Sequence, residues 1–118
     1  MNWLEIKSGS DLNEVIENSF QSNFGVAIFK HSTRCSISSV AKMRLSSLWS
    51  FNEELPVYYV DVLASRNLSN LIANEFNVVH ESPQLLIIRH GKCVYDASHM
   101  SISYKDIVNY SNQLKIKT

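Results

Sequence analysis

Alternating apolar segments of strand and helix length place this chain in the α/β class, with a central mixed sheet and helices on both faces. Three observations carry that expectation. Phe24-Gly25-Val26-Ala27-Ile28-Phe29 and Val57-Tyr58-Tyr59-Val60-Asp61 are short, almost wholly apolar runs that suit parallel strands buried on two faces. Each is followed by a stretch whose apolar residues recur at helical spacing. Two further segments of strand length, Gln84 to Arg89 and Lys92 to Ala97, flank His90-Gly91, a two-residue link whose glycine tolerates the positive φ of a hairpin turn; these strands should be antiparallel.

The elements follow in order. A short strand over Trp3 to Ile6 precedes a helix capped by Ser10, with Leu12, Val15, Ile16 and Phe20 on one face. The first buried strand ends at Lys30. Polar residues Lys30 to Arg34 form a loop, and Ile37, Val40, Ala41, Leu45 and Leu48 describe one face of the next helix. Asn52 to Pro56 connect to the second buried strand, and Glu53-Glu54 reads as a solvated turn. Ser65 then caps a helix bearing Leu68, Leu71, Ile72 and Phe76. Ser82-Pro83 leads into the hairpin. Ser103-Tyr104-Lys105-Asp106 resembles a capping box before a last helix with Ile107, Val108 and Leu114 on its apolar stripe. No internal repeat or linker divides the 118 residues, so residues 1–118 read as a single domain.

Composition narrows the function. Eleven Lys plus Arg balance eleven Asp plus Glu, and a net charge of zero lacks the field that non-specific nucleic-acid binding needs. With 45% hydrophobic and 19% charged residues the chain is neither disordered nor membranous. The first residues, Met1 to Ile6, have no basic start followed by an apolar stretch, so a cytoplasmic protein is expected. A monomer with no membrane and no nucleic-acid partner is expected as well. His80, His90 and His99 are dispersed without metal-ligand spacing, and no metal is expected. Thiols stay reduced in such a compartment. Cys93 alternates with Tyr95 inside a strand and reads as packing; the topology sets it apart from Cys35, so no internal disulfide is expected.

Open sheets place their sites beyond the carboxyl ends of their strands, which nominates Lys30 to Cys35. Cys35 stands at a helix start, where unpaired N–H groups and the helix dipole favour a thiolate. Lys30, Arg34, Lys42 and Arg44 surround it in sequence with no acidic residue between them. His31 reads as a loop residue rather than a general base. Ser38 occupies the position where a two-cysteine redox motif carries its second thiol. A hydroxyl forms no disulfide but can donate a hydrogen bond to a thiolate one turn away, so the chemistry expected is monothiol: Cys35 accepts a small thiol and an external thiol removes it. Pro83 cannot donate to a ladder, and a cis peptide after Ser82 would leave nearby backbone groups for an extended ligand.

Phe29-Lys30-His31-Ser32-Thr33-Arg34-Cys35-Ser36-Ile37-Ser38 is similar to the Lys-His-Ser-Thr-x-Cys-Pro-Ile-Ser segment of the monothiol bacilliredoxins, and Ser98-His99 also resembles that family. The order of elements resembles the thioredoxin fold over nearly the whole chain. The resemblance implies an enzyme that removes bacillithiol from S-thiolated cytosolic proteins, with Cys35 attacking and then carrying the mixed disulfide. Bacillithiol would be a co-substrate rather than a bound cofactor. Arg34, Ser36 and Ser38 would support the thiolate, and Lys30, His31, Ser82 and Pro83 would meet the substrate, Pro83 as the cis-proline facing Cys35. Ser36 stands where the family commonly has proline, which restores an N–H at the helix start. The competing readings are a non-enzymatic thioredoxin-like binding module and an iron–sulfur carrier of the monothiol glutaredoxin kind; the latter's Gly-Phe after the cysteine is replaced here by Ser36-Ile37.

Overall fold

The computed structural model describes residues 2–51 and 54–117. Five strands, β1 (Trp3–Glu5), β2 (Val26–His31), β3 (Val57–Asp61), β4 (Gln84–Arg89) and β5 (Lys92–Ser98), form one sheet in the order β1-β3-β2-β4-β5. The first three in that order are parallel, and β4 and β5 add antiparallel. Helices α1 (Gly9–Gln21), α2 (Ser36–Leu48), α3 (Arg66–Phe76) and α4 (Tyr104–Lys117) alternate with the strands, and a 3₁₀ turn over His99–Ser101 joins β5 to α4. No described helix is long and apolar enough to cross a membrane. The connection expected over Asn52 to Pro56 lies partly outside the described residues, as does Glu53.

The two-residue period of the strands divides the core. On one face Val26, Ile28, Leu86 and Ile88 meet Leu12 and Val15 of α1 and Leu68, Ile72 and Phe76 of α3. On the other, Ala27, Phe29, Leu85 and Ile87 meet Ala41 and Leu45 of α2 and Ile107 of α4. Each fully buried aliphatic side chain contributes about 1.5–3 kcal/mol, so both layers are held from both sides.

Three local features differ from the sequence expectation. The first helix is capped by Ser8, not Ser10: Ser8 Oγ accepts the Asp11 N–H at 3.1 Å, and Asp11 Oδ2 accepts the Lys7 N–H at 2.8 Å. The three-residue spacing from Ser8 to the carboxylate decides between the two serines. On α2, the buried face is Ser38, Ala41 and Leu45, while Ile37, Val40 and Leu48 are exposed. Small residues at 38 and 41 let the helix approach the sheet, so the larger aliphatic stripe is rotated outward. Phe20 and Leu71 likewise lie outside the core; the Phe20 ring packs 5.8 Å from that of His90 at the hairpin turn. In that turn His90 (φ 53°) and Gly91 (φ 77°) are both left-handed, the pair that matches the twist of a two-residue hairpin.

Candidate active site

The first buried strand does not stop at Lys30. β2 continues through His31 because β3 and β4 supply ladder partners that far: Lys30 pairs with Val60 and Gln84, and His31 with Asp61. Both side chains are therefore strand residues rather than parts of a solvent loop. Lys30 has no exposed surface and His31 is 7% exposed, so neither presents the open ligand contact expected of it. By alternation they point to opposite faces.

His31 lies on the α2 side. Its ring stacks on Phe29, with centroids 5.7 Å apart, and its Nδ1 is 2.6 Å from Ser38 Oγ. Ser38 also accepts the Ser32 N–H at 3.0 Å. The hydroxyl expected to support the thiolate is thus engaged with the strand end and the loop. Burial first, then the charge of Lys42, hold the His31 pKa below 6.5 against the opposing pull of Asp61, which keeps the ring neutral at neutral pH.

Cys35 is the N-cap of α2. Its N–H donates to Ser32 O at 3.1 Å, closing a tight turn, and its carbonyl accepts the Ser39 N–H at 3.1 Å to begin the helix. The side chain makes no capping bond and the residue is half-buried, so the thiol stands at the end of the helix with access to solvent. Arg34 and Ser36 beside it are exposed. The four cations that sequence groups here disperse in space: Lys42 lies over the rings of Trp3 and Tyr59, 5.5 and 5.0 Å from their centroids, and Arg44 is exposed two turns down the helix.

On the α3 side, Lys30 Nζ is 3.3 Å from His80 Nδ1 in the loop before β4, a partnership the sequence did not suggest. Burial, opposed by the charge of Cys93, lowers the Lys30 pKa from 10.5 to about 8. Desolvation and the charges of Lys30 and Arg66 lower that of His80, against Glu81. Lys30 therefore donates to a neutral imidazole at neutral pH.

The same loop ends in a cis Ser82–Pro83 peptide, as expected from sequence. Pro83 is buried and its carbonyl accepts the His99 N–H at 2.9 Å, tying the loop to the 3₁₀ turn. His99 Nε2 lies 2.8 Å from Glu81 Oε2, and the Ser82 hydroxyl is buried without a hydrogen-bond partner. The structure thus joins Ser38 to His31 and ties Ser98-His99 to the proline loop, while Lys30 is turned to the opposite face. Cys93 is half-buried, donates its thiol to Tyr95 O at 3.3 Å, and has its pKa raised mainly by burial. It is in register with Ile88, which pairs with Val26 at the start of β2, while Cys35 lies past the end of β2. Five residues of strand, about 16 Å, separate the two levels, well beyond disulfide reach. Both thiols are free. Among the described residues no three His, Cys, Asp or Glu side chains gather as metal ligands would.

A mixed five-stranded sheet that carries a cysteine at the N-terminus of its second helix, with a cis-proline opening the next antiparallel strand, defines a thioredoxin-fold protein with a single thiol on its active turn. The chain belongs to the monothiol bacilliredoxin family, a thiol oxidoreductase family: residues 4–107 match the family described as monothiol bacilliredoxin BrxC. Solved structures agree on the fold. A protein described as a candidate oxidoreductase with a thioredoxin fold is 29% identical, with a TM-score of 0.78 over 92% of each chain. The thioredoxin of Fasciola hepatica is 14% identical at a TM-score of 0.72, covering 93% of this chain and 97% of that one. That of Malassezia sympodialis is 12% identical at 0.71, covering 95% and 90%.

Proposed function

We propose that this protein frees S-thiolated proteins from a low-molecular-weight thiol, with bacillithiol as the co-substrate that the family description suggests. The observation that carries the reading is the half-buried Cys35 at the α2 N-terminus with serine, not cysteine, at position 38. The Cys35 thiolate attacks the small-thiol sulfur of a protein mixed disulfide. A new disulfide forms between Cys35 and the small thiol, the old one breaks, and the electron pair leaves on the substrate's cysteine, which takes up a proton. A second small-thiol thiolate then attacks the carried sulfur, giving a symmetrical small disulfide and restoring Cys35. With no thiol at position 38, the enzyme depends on that external thiol.

In this reading Arg34 and the N–H of Ser36 face the anion, and Ser82 and Pro83 border the incoming disulfide. Ser38 acts through His31. With the imidazole proton on Nδ1, His31 donates to Ser38 Oγ and leaves the hydroxyl proton free to turn toward a thiolate; with the proton on Nε2, Ser38 donates to His31 instead. We assign the protein to the cytoplasm as a monomer, where thiols stay reduced.

Intact-mass spectrometry after incubation with a carrier protein S-thiolated by bacillithiol, glutathione or cysteine tests this. One adduct on the wild type, kept by Cys93→Ser and lost in Cys35→Ser, is the expected result, with bacillithiol transferred fastest. No adduct from any donor, or an adduct on Cys93, overturns it.

A further inference from the structure

A second surface starts where the thiol-bearing turn ends. The outer stripe of α2 carries the exposed Ile37, Val40 and Leu48, and Met100 of the 3₁₀ turn, 85% exposed, borders the same space. They wall a cleft of about 630 Å³ between α2 and the beginning of α4. From Ser36, next to Cys35, to Leu48, α2 supplies about 18 Å of that wall at 1.5 Å per residue. A wall of that length accommodates about five residues of extended polypeptide. A contiguous apolar patch beside a reactive group is the usual mark of a protein contact.

Charge narrows the occupant. Arg44 and Lys105 are the charged residues along the cleft, and no carboxylate lines it among the described residues. The acidic groups bordering these elements are already engaged, Glu81 with His99, itself a residue of the cleft wall, and Asp106 with Tyr95. A second copy of this chain fits poorly, because two-fold pairing would set Arg44 and Lys105 against the same two cations.

We infer that the α2–α4 cleft docks the polypeptide of the S-thiolated substrate, taking a segment that combines apolar side chains with carboxylates. This rests on the reading of Cys35 given above. Exchange brings the substrate's disulfide to Cys35, and the chain flanking that disulfide crosses the surface beside Ser36, where the cleft opens. Apolar contacts along Ile37, Val40 and Leu48 hold the segment, and Arg44 and Lys105 select its charge.

Two synthetic peptides carrying the same S-thiolated cysteine, one flanked by Leu and Glu and the other by Leu and Lys, make the test. At limiting concentration the wild type should take the small thiol from the acidic peptide about tenfold faster, through KM rather than kcat. In the double variant Arg44→Glu, Lys105→Glu the ratio should fall to one or invert. Equal wild-type rates, or a preference that survives the reversal, overturn the docking assignment. So does a wild-type dimer that Leu48→Glu disperses in sedimentation, since the cleft would then join two copies. Failure of Cys35 to react even with a free small disulfide is a separate result and overturns the reading of Cys35 itself.

Discussion

At the scale of single residues, the backbone of the thiol turn already has the shape that the family's proline imposes. Cys35 sits at φ −103° and ψ 118°, the extended region to which a residue before proline is confined. Ser36 is the first residue of α2, where the missing N–H of proline costs no intrahelical bond. Ser36→Pro should therefore fold unchanged and gain about 0.4–1 kcal/mol by restricting the unfolded chain, raising Tm by about 2–5 °C in a calorimetric scan. A lowered Tm would mean that the Ser36 N–H has a structural role. Cys35 and Pro83 were legible in the sequence because each follows from a local rule: a helix start beside a thiol, and a proline at a strand entrance. The His31–Ser38 pair was not. It joins a strand end to a helix turn seven residues later, and only the extra ladder partners of β2 at His31 bring the two side chains within 2.6 Å.

Whole elements were easier to read than their orientation. The central strands β2, β3 and β4 stand out as apolar runs between polar breaks because they are buried on two faces, and all four helices as periodic stripes because each buries one face. The single stripe that spacing predicts for α2 is split by the fold: close approach to the sheet buries Ala41 and Leu45 with Ser38, and leaves Ile37, Val40 and Leu48 to wall the cleft beside Cys35. Junctions between elements depend on backbone proximity, and two glycines separate the causes. At Gly25, which links α1 to β2 with φ +91°, an added Cβ would stand 2.2 Å from the Ile88 carbonyl oxygen of β4, an atom held in the sheet. At Gly91, with φ +77°, it would meet the Phe20 ring at 3.2 Å, and that ring is exposed and can turn aside. Gly91→Ala should cost about 1–2 kcal/mol, the left-handed strain alone. Gly25→Ala should cost at least twice as much, or yield no folded protein, because strain and collision add. Urea unfolding of the two variants checks the ranking, and equal losses would show that β2 and β4 can part at that point.

For the molecule as a whole, the costly feature is a cation sealed between the sheet and the α3 side. Lys30 has no solvent exposure and an imidazole, not a carboxylate, as its hydrogen-bond partner. Lowering its pKa from 10.5 to about 8 means that the folded state holds the charge less well than the unfolded chain, a penalty of about 3 kcal/mol. The penalty is fully present below pH 8, where both states are protonated. Between pH 8 and 10.5 the folded lysine is neutral while the unfolded one is still charged, so unfolding takes up a proton and stability rises with pH; above 10.5 the penalty is gone. Cys93, Tyr59, Tyr95 and Tyr110, all with raised pKa values, pull the other way in the same range, so the absolute curve mixes opposing contributions. The difference between wild type and Lys30→Met isolates Lys30. Methionine fills similar volume without charge, and the loss of the His80 hydrogen bond offsets about 1 kcal/mol. The variant should be about 2 kcal/mol more stable at pH 7 in urea unfolding. That advantage should shrink through pH 8–10 and reverse by about 1 kcal/mol above pH 10.5, where only the lost hydrogen bond remains. A difference that stays constant from pH 7 to 10.5 would show that the buried ammonium is solvated or paired in a way the Lys30–His80 contact does not describe.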